Sequence, residues 1–214
     1  MSEPEAWAEE TEARLLDAMI VQAPRQGWSR LSVAAAARDI GLTAAEAELL
    51  TPHGPRDLAA LLARRHDVLG RQRLSHLDPL SLKIRERIRV GVLARCDAAG
   101  EDEPATRRWM GFLALPQNAP LGLRLAWASA DAIWRWAGDV ATDENHYSKR
   151  VLLGEILIST LAIRLASGRA DAATHLDGRI GAVMAFERWK AGLKPSEIGS
   201  RLASRLGRFR YGAG

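Results

Sequence analysis

Apolar positions recur along this chain with a helical period, and the alternation typical of strands is scarce. Within residues 121–138, one stripe with spacings of four, three and four holds Leu123, Trp127, Ala130 and Trp134. A second apolar stripe lies beside it, so this predicted helix is apolar around most of its circumference. The next predicted helix, residues 143–167, has only Glu155 and Arg164 as charges within VLLGEILISTLAIRLAS. The pattern predicts an all-α fold with two strongly apolar neighbouring helices.

Two adjacent helices of this kind have three explanations, which periodicity does not separate. They lie at the centre of the core, they form a dimer interface, or they line an apolar cavity. Cavities for hydrophobic molecules between the helices of a bundle are a common arrangement. For the third explanation, the candidate lipid-binding side chains are Leu123, Trp127, Ala130, Trp134, Leu153 and Leu157.

The first seventy residues predict helices separated by turns that contain Gly and Pro. The predicted helices are Glu9–Gln22, Val33–Asp39, Ala44–Leu50 and Arg56–Leu69. Pro24 and Gly27 are expected to end the first helix. Ser32 and Thr43 are expected to cap the two short ones. This order is that of a helix-turn-helix module, and residues 28–61 resemble the N-terminal module of TetR regulators.

The second short helix, residues 44–50, lacks the side chains that a DNA reader needs. A recognition helix presents Lys, Arg or polar groups to the major groove. This helix carries Glu46 and Glu48 but no Lys or Arg, and carboxylates repel phosphates. We therefore expect no nucleic-acid partner. A TetR-type transcription regulator with a hydrophobic effector is the alternative function.

The remaining boundaries come from Pro, Gly and charge. Asp78 and Pro79 are expected to begin a helix that ends near Asp97, and Pro104 to begin the next one. Gly138 is the expected left-handed C-cap of the tryptophan-rich helix. The predicted regions are a degenerate helix-turn-helix module at 1–70, a helical lipid-binding domain at 71–190 and a basic amphipathic helix at 191–214.

Positive charge is concentrated at the C-terminus. Residues 186–211 contribute +5, so the rest of the chain sums to −1 against a total of +4. Within PSEIGSRLASRLGRFRY, the apolar stripe and two of the arginines beside it are Ile198, Leu202, Leu206, Phe209, Arg201 and Arg205. A basic amphipathic helix of this kind predicts binding to an anionic membrane surface. The alternative is an ordinary last helix docked on the bundle or on a dimer partner.

The cellular compartment is predicted from the cysteine count and from the N-terminal charge. The 214 residues, 47% of them hydrophobic, include one cysteine, which excludes an internal disulfide and is typical of a reducing compartment. Five glutamates precede Arg14, whereas a secretory or mitochondrial leader carries the opposite charge. We therefore expect a cytoplasmic protein that lies peripherally on the inner face of a membrane.

The polar segment 139–150 does not have the spacing of a known catalytic or metal site. Asp143 and His146 are too few ligands for a metal, and no nucleophile elbow accompanies them. We predict no catalytic residue and no metal. The segment is interpreted either as helix caps or as a recognition surface, with His146 and Tyr147 as aromatic anchors.

Four motifs in order, LPQNAP, DAIWRWAGD, TDENHYSKR and DGRIGAVM, resemble one family. This family comprises the accessory proteins of ubiquinone (coenzyme Q) biosynthesis, which are lipid-binding proteins with a TetR-like fold. The resemblance is strongest over residues 115–186. It implies a protein that is not an enzyme, uses no cofactor and binds an isoprenoid lipid or ubiquinone intermediate in an apolar pocket.

The resemblance also implies partners. Family members lie on membrane lipids through their terminal helix and present quinone intermediates to the di-iron demethoxyubiquinone hydroxylase. The family's docking patch corresponds here to Ile133, Asp143, His146, Tyr147 and Arg150. Relatives carry Trp where this chain has His146, which offers less apolar contact. Whether a TetR-like homodimer forms through the apolar helices is left open by the sequence.

Overall fold

The computed structural model describes residues 3–139 and 144–192, and these residues are all-helical, as predicted. Apart from one 3₁₀ turn at Pro79–Ser81, the elements are α-helices. They are α1 (Glu3–Gln26), α2 (Arg30–Asp39), α3 (Ala44–Leu50), α4 (Pro55–Arg73), α5 (Ile84–Ala99), α6 (Glu103–Ala114), α7 (Ala119–Trp136), α8 (Glu144–Ser167) and α9 (Arg169–Gly192).

Local capping explains the starts of α2 and α3, and the observed boundaries correct two predictions near the N-terminus. The first helix is longer than predicted, because α1 begins at Glu3 and continues through Pro24 to Gln26. Gly27, with a φ of 74°, ends it as predicted. Ser29, and not Ser32, is the N-cap of α2. The Ser32 hydroxyl accepts a hydrogen bond from the Ser29 backbone N–H at 3.0 Å, which completes a capping box. The predicted cap at Thr43 is confirmed.

The boundaries of two later helices also follow from their caps. Asp78 caps the 3₁₀ turn and not a long helix, so α5 begins only at Ile84. Gly138 has a φ of 86° and its N–H donates to the Arg135 carbonyl at 3.0 Å, which confirms the predicted left-handed end of α7.

A single apolar core joins the N-terminal helices to the later ones. Helix α1 packs on both α2 and α6, and α4 packs on both α5 and α7. Trp109 on α6 is buried and donates its indole N–H to the Ala59 carbonyl on α4 at 3.0 Å. Side chains from α1, α4, α5, α7, α8 and α9 in this core include Leu15, Leu62, Val92, Ala130, Leu161 and Leu176. The division at residue 70 stays a prediction.

Helix α5 lies very close to its neighbours at two glycines. A Cβ on Gly91 would lie 2.8 Å from Cγ2 of Ile133 on α7. A Cβ on Gly70 would lie 3.1 Å from the Cα of Arg95. Because backbone atoms cannot yield as a flexible side chain does, the crossing of α4 and α5 fixes the position of Arg95 in the interior.

Candidate functional site

An open cavity of about 290 Å³ lies between α6, α7 and α8, and we call it the α6–α8 cavity. Its apolar walls include Met110, Leu113, Leu125, Leu157 and Leu161. Leu123 and Ile158 also line it, yet they are 67% and 41% exposed to solvent. Two exposed apolar side chains therefore lie where the cavity meets the surface.

The same cavity also has a polar part, formed by Arg95 of α5 and Ser129 of α7. Both side chains are buried. Arg95 donates its Nε–H to Oδ1 of Asp67 at 2.5 Å, and the Ser129 hydroxyl donates to the same oxygen at 2.6 Å. One carboxylate thus holds both groups.

A second open cavity, of about 350 Å³, lies between α5, α8 and α9, and we call it the α8–α9 groove. Its apolar lining includes Ile88, Leu152, Ile156, Ile180 and Val183, with Arg85, Ser148 and Lys149 as polar members. Lys149 places its Nζ 5.3 Å from the ring centroid of Trp134, which also lines the groove. This groove is less purely apolar than the α6–α8 cavity.

The six side chains predicted for lipid binding do not share one wall. Leu123 and Leu157 line the α6–α8 cavity, whereas Trp134 and Leu153 line the α8–α9 groove. Ala130 is fully buried in the core. Trp127 packs on Tyr147, with ring centroids 5.9 Å apart. Seven residues of helix advance about 10 Å along its axis, so two tryptophans on one stripe meet different neighbours.

Of the predicted docking residues, two are interior. Ile133 is 7% exposed and Arg150 is 2% exposed, so the expectation that they offer contact surface is corrected. Tyr147 is 63% exposed, and its ring lies against His146 with centroids 5.3 Å apart. Asp143 lies outside the described residues. Tyr147 and the half-buried His146 are therefore the described members of this patch that reach the surface.

Arg150 is buried between two carboxylates, those of Asp131 on α7 and of Asp139 just after α7. Its Nε–H donates to Asp131 at 2.6 Å, and its Nη1 donates to Asp139 at 3.2 Å and to the His146 carbonyl at 3.1 Å. Lys149 donates to the other Asp139 oxygen at 2.9 Å. Burial raises the pKa of Asp139, but these two cations lower it by more, so the net shift is downward. The network fixes the start of α8 beneath Tyr147.

Reactive chemistry has little support in the residues that the structure describes. Burial raises the pKa of the Cys96 thiol to about 12, so it is protonated at neutral pH and is a poor nucleophile. Residues 3–139 and 144–192 contain no group of three metal-ligating side chains.

Across these same ranges, no helix has the length and apolar character needed to cross a bilayer. The predicted membrane-binding residues lie outside them: Ile198, Arg201, Leu202, Arg205, Leu206 and Phe209.

Comparison with known proteins relates this site to one family. Residues 119–187 match the family model described as COQ9. The chain is 27% identical over 179 residues to the ubiquinone biosynthesis protein COQ9-B, mitochondrial, of Xenopus laevis, covering 76% of this chain and 58% of that protein. It is 28% and 26% identical over 172 residues to the COQ9 proteins of Rattus norvegicus and Homo sapiens, covering 76% of this chain and 54% and 53% of those proteins. The chain is similar in sequence to the COQ9 proteins.

The predicted family resemblance is thereby confirmed, and the COQ9 match can be placed on the structure. It spans α7, α8 and most of α9, so it includes Leu123, the Arg150 network and Tyr147. Helices α5 and α6, which supply Arg95 and Trp109 to the cavity, precede the matched segment. The chain spans little more than half the length of the curated relatives that it matches.

Arg95 and Ser129 are the site residues that sequence reasoning missed. Arg95 follows the apolar run of α5 as one of many arginines, and its burial depends on Asp67 of another helix. Ser129 was visible as the single hydroxyl on the second apolar stripe of α7. A polar group within an otherwise apolar stripe is the signal that could have identified it.

Proposed function

We propose that the chain is a non-catalytic accessory protein of ubiquinone biosynthesis, which binds an isoprenoid quinone intermediate and presents it to the demethoxyubiquinone hydroxylase. The observation that carries this proposal is the apolar α6–α8 cavity, open at Leu123 and Ile158. The COQ9 match supports it, because α7 and part of α8 form the walls. The relatives' names supply the pathway.

The size and lining of the cavity suit the ring and first part of a prenyl chain. Typical ligand pockets measure about 300–1,000 Å³, and 290 Å³ lies at the lower end of that range. Burial of apolar surface contributes about 25 cal/mol per Å², which favours transfer of a prenyl segment from water. A longer chain extends through the opening, where it covers Leu123 and Ile158.

The membrane is the source of such a ligand, and the terminal basic segment is the proposed contact with it. Arg201 and Arg205 would face anionic headgroups while Leu202 and Leu206 enter the apolar boundary. We propose peripheral attachment through this segment. Attachment of the protein to the membrane shortens the path of the lipid through water.

Introducing charge at the opening tests the cavity directly. We expect Leu123→Arg to weaken binding of a short-chain prenyl quinone by about tenfold or more, because apolar contact is lost and a charge must be desolvated. Quenching of tryptophan fluorescence by the quinone measures this affinity. Leu31→Arg on α2, also at an exposed leucine, should bind as the wild type does. Equal affinity in all three proteins would place the ligand elsewhere.

Tyr147 is the proposed anchor for the hydroxylase. Its exposed ring, supported by Trp127 and His146, has the character of an interface hot spot, which contributes about 2 kcal/mol or more. We expect Tyr147→Lys to weaken capture of the purified hydroxylase by about tenfold or more. Val21→Lys replaces a similarly exposed side chain on α1 and serves as the control. Unchanged capture by Tyr147→Lys would move the docking surface away from α8.

A further inference from the structure

A buried guanidinium, that of Arg95, lines the α6–α8 cavity. A purely apolar ligand would leave one of its N–H groups without a hydrogen-bond acceptor. The Arg95 side chain is 5% exposed and lines the cavity. Its Nε is occupied by Asp67, and among the described residues its buried Nη1 has no hydrogen-bond partner. A buried donor without an acceptor is destabilising, which favours a ligand that supplies the acceptor.

The surrounding charge narrows the chemistry of that acceptor. Asp67 already neutralises Arg95, and Ser129 donates its hydroxyl to the same carboxylate. A ligand anion would therefore enter an apolar cavity beside a pair without net charge, and its desolvation would be uncompensated. A neutral oxygen atom accepts a hydrogen bond from the guanidinium without adding charge. Quinone and phenol oxygens belong to this class.

The donor is also held in place before any ligand binds. A Cβ on Gly70 would lie 3.1 Å from the Arg95 Cα, so the backbones of α4 and α5 already cross in close contact at Arg95. The bond to Asp67 fixes the guanidinium at its other end. Because the donor is already held in place, less side-chain entropy is lost when a ligand binds. Its hydrogen bond therefore contributes more to affinity and selectivity.

We infer that Arg95 binds the neutral, oxygen-bearing ring of a prenyl lipid, with the ring inside the α6–α8 cavity and the chain directed through the opening at Leu123. This inference rests on the proposed function and adds a ligand class and an orientation to it.

The test compares two ligands of the same skeleton, farnesyl-benzoquinone and farnesyl-benzene, which differ in the ring oxygens. Arg95→Lys keeps a cation beside Asp67 but removes the planar guanidinium. A second variant, Arg95→Met with Asp67→Asn, removes both charges together and leaves no carboxylate unpaired. Thermal unfolding establishes that each variant is folded, and binding is measured by calorimetry for both ligands.

We expect wild-type protein to prefer the quinone, and both variants to bind it about ten- to a hundredfold more weakly while retaining affinity for farnesyl-benzene. The ratio of the affinity for farnesyl-benzoquinone to that for farnesyl-benzene is therefore expected to fall by the same factor in both variants. An unchanged ratio in both variants would overturn the role of Arg95 and leave the lipid cavity intact. Wild-type protein that binds neither ligand would overturn the proposed function itself, and this inference with it.

Discussion

Arg150→Met is expected to lower the free energy of unfolding by about 3–5 kcal/mol, the largest effect that we predict for a single substitution. The substitution removes one of two cations from each of two carboxylates: Asp139, which is 8% exposed, keeps Lys149, and Asp131 keeps the exposed Arg135. The loss of the buried cation from both carboxylates at once is strongly destabilising. Urea denaturation followed by circular dichroism measures the change.

Arg135→Met is the matched control, because Arg135 pairs with the same Asp131 but is 75% exposed. An exposed pair contributes about 0–1 kcal/mol, so this variant should remain close to the wild type. Equal destabilisation by the two substitutions would contradict the view that the interior network holds the start of α8. Loss of Arg150 should also weaken hydroxylase capture, because the network underlies Tyr147.

His66 is expected to make stability depend on pH above the range in which carboxylates titrate. It is fully buried on α4 against Trp109, with ring centroids 6.1 Å apart. Burial lowers its pKa from 6.5 to about 4, although the Asp102 carboxylate, 3.7 Å from Nε2, opposes the shift. The folded protein therefore holds a neutral imidazole at neutral pH.

The direction of the pH effect follows from this depressed pKa. Above pH 6.5 neither state is protonated, and His66 adds no pH dependence. Between 6.5 and about 4 the unfolded chain binds a proton that the folded one does not, so stability falls by about 3 kcal/mol in total. Urea midpoints measured at several pH values should show this slope. It should disappear in His66→Leu and persist in His76→Gln, an exposed control. A wild-type protein without the slope would contradict neutral burial of His66.

Features that depend on a few neighbouring residues could be predicted from the sequence. The all-α fold follows from helical periodicity, and the caps at Thr43 and Gly138 follow from local hydrogen bonding and backbone conformation. The error at Ser32 was also local. Ser29 and Ser32 are three residues apart, and the sequence allows either to be the N-cap. Ser29 is the N-cap, and the Ser32 hydroxyl accepts a hydrogen bond from the Ser29 backbone N–H.

Features that depend on tertiary packing could not be predicted from periodicity. Trp127 and Trp134 share a stripe, but Trp127 packs on Tyr147, whereas Trp134 donates its indole N–H to the Lys149 carbonyl and lines the α8–α9 groove. Arg150 has the sequence character of a surface residue, and only the convergence of Asp131 and Asp139 explains its burial. The burial of Arg95 could not be predicted for the same reason, because its partner Asp67 is 28 residues away on another helix.

Native mass spectrometry of the protein purified from cells that make ubiquinone tests the central claim most directly. We expect a bound species with the mass of a prenyl quinone or prenyl phenol, present in the wild type and in Leu31→Arg but depleted in Leu123→Arg. The ligand should be released on unfolding and identified by its prenyl fragmentation. Wild-type protein that is empty, and that also fails to take up added prenyl quinone, would contradict the account.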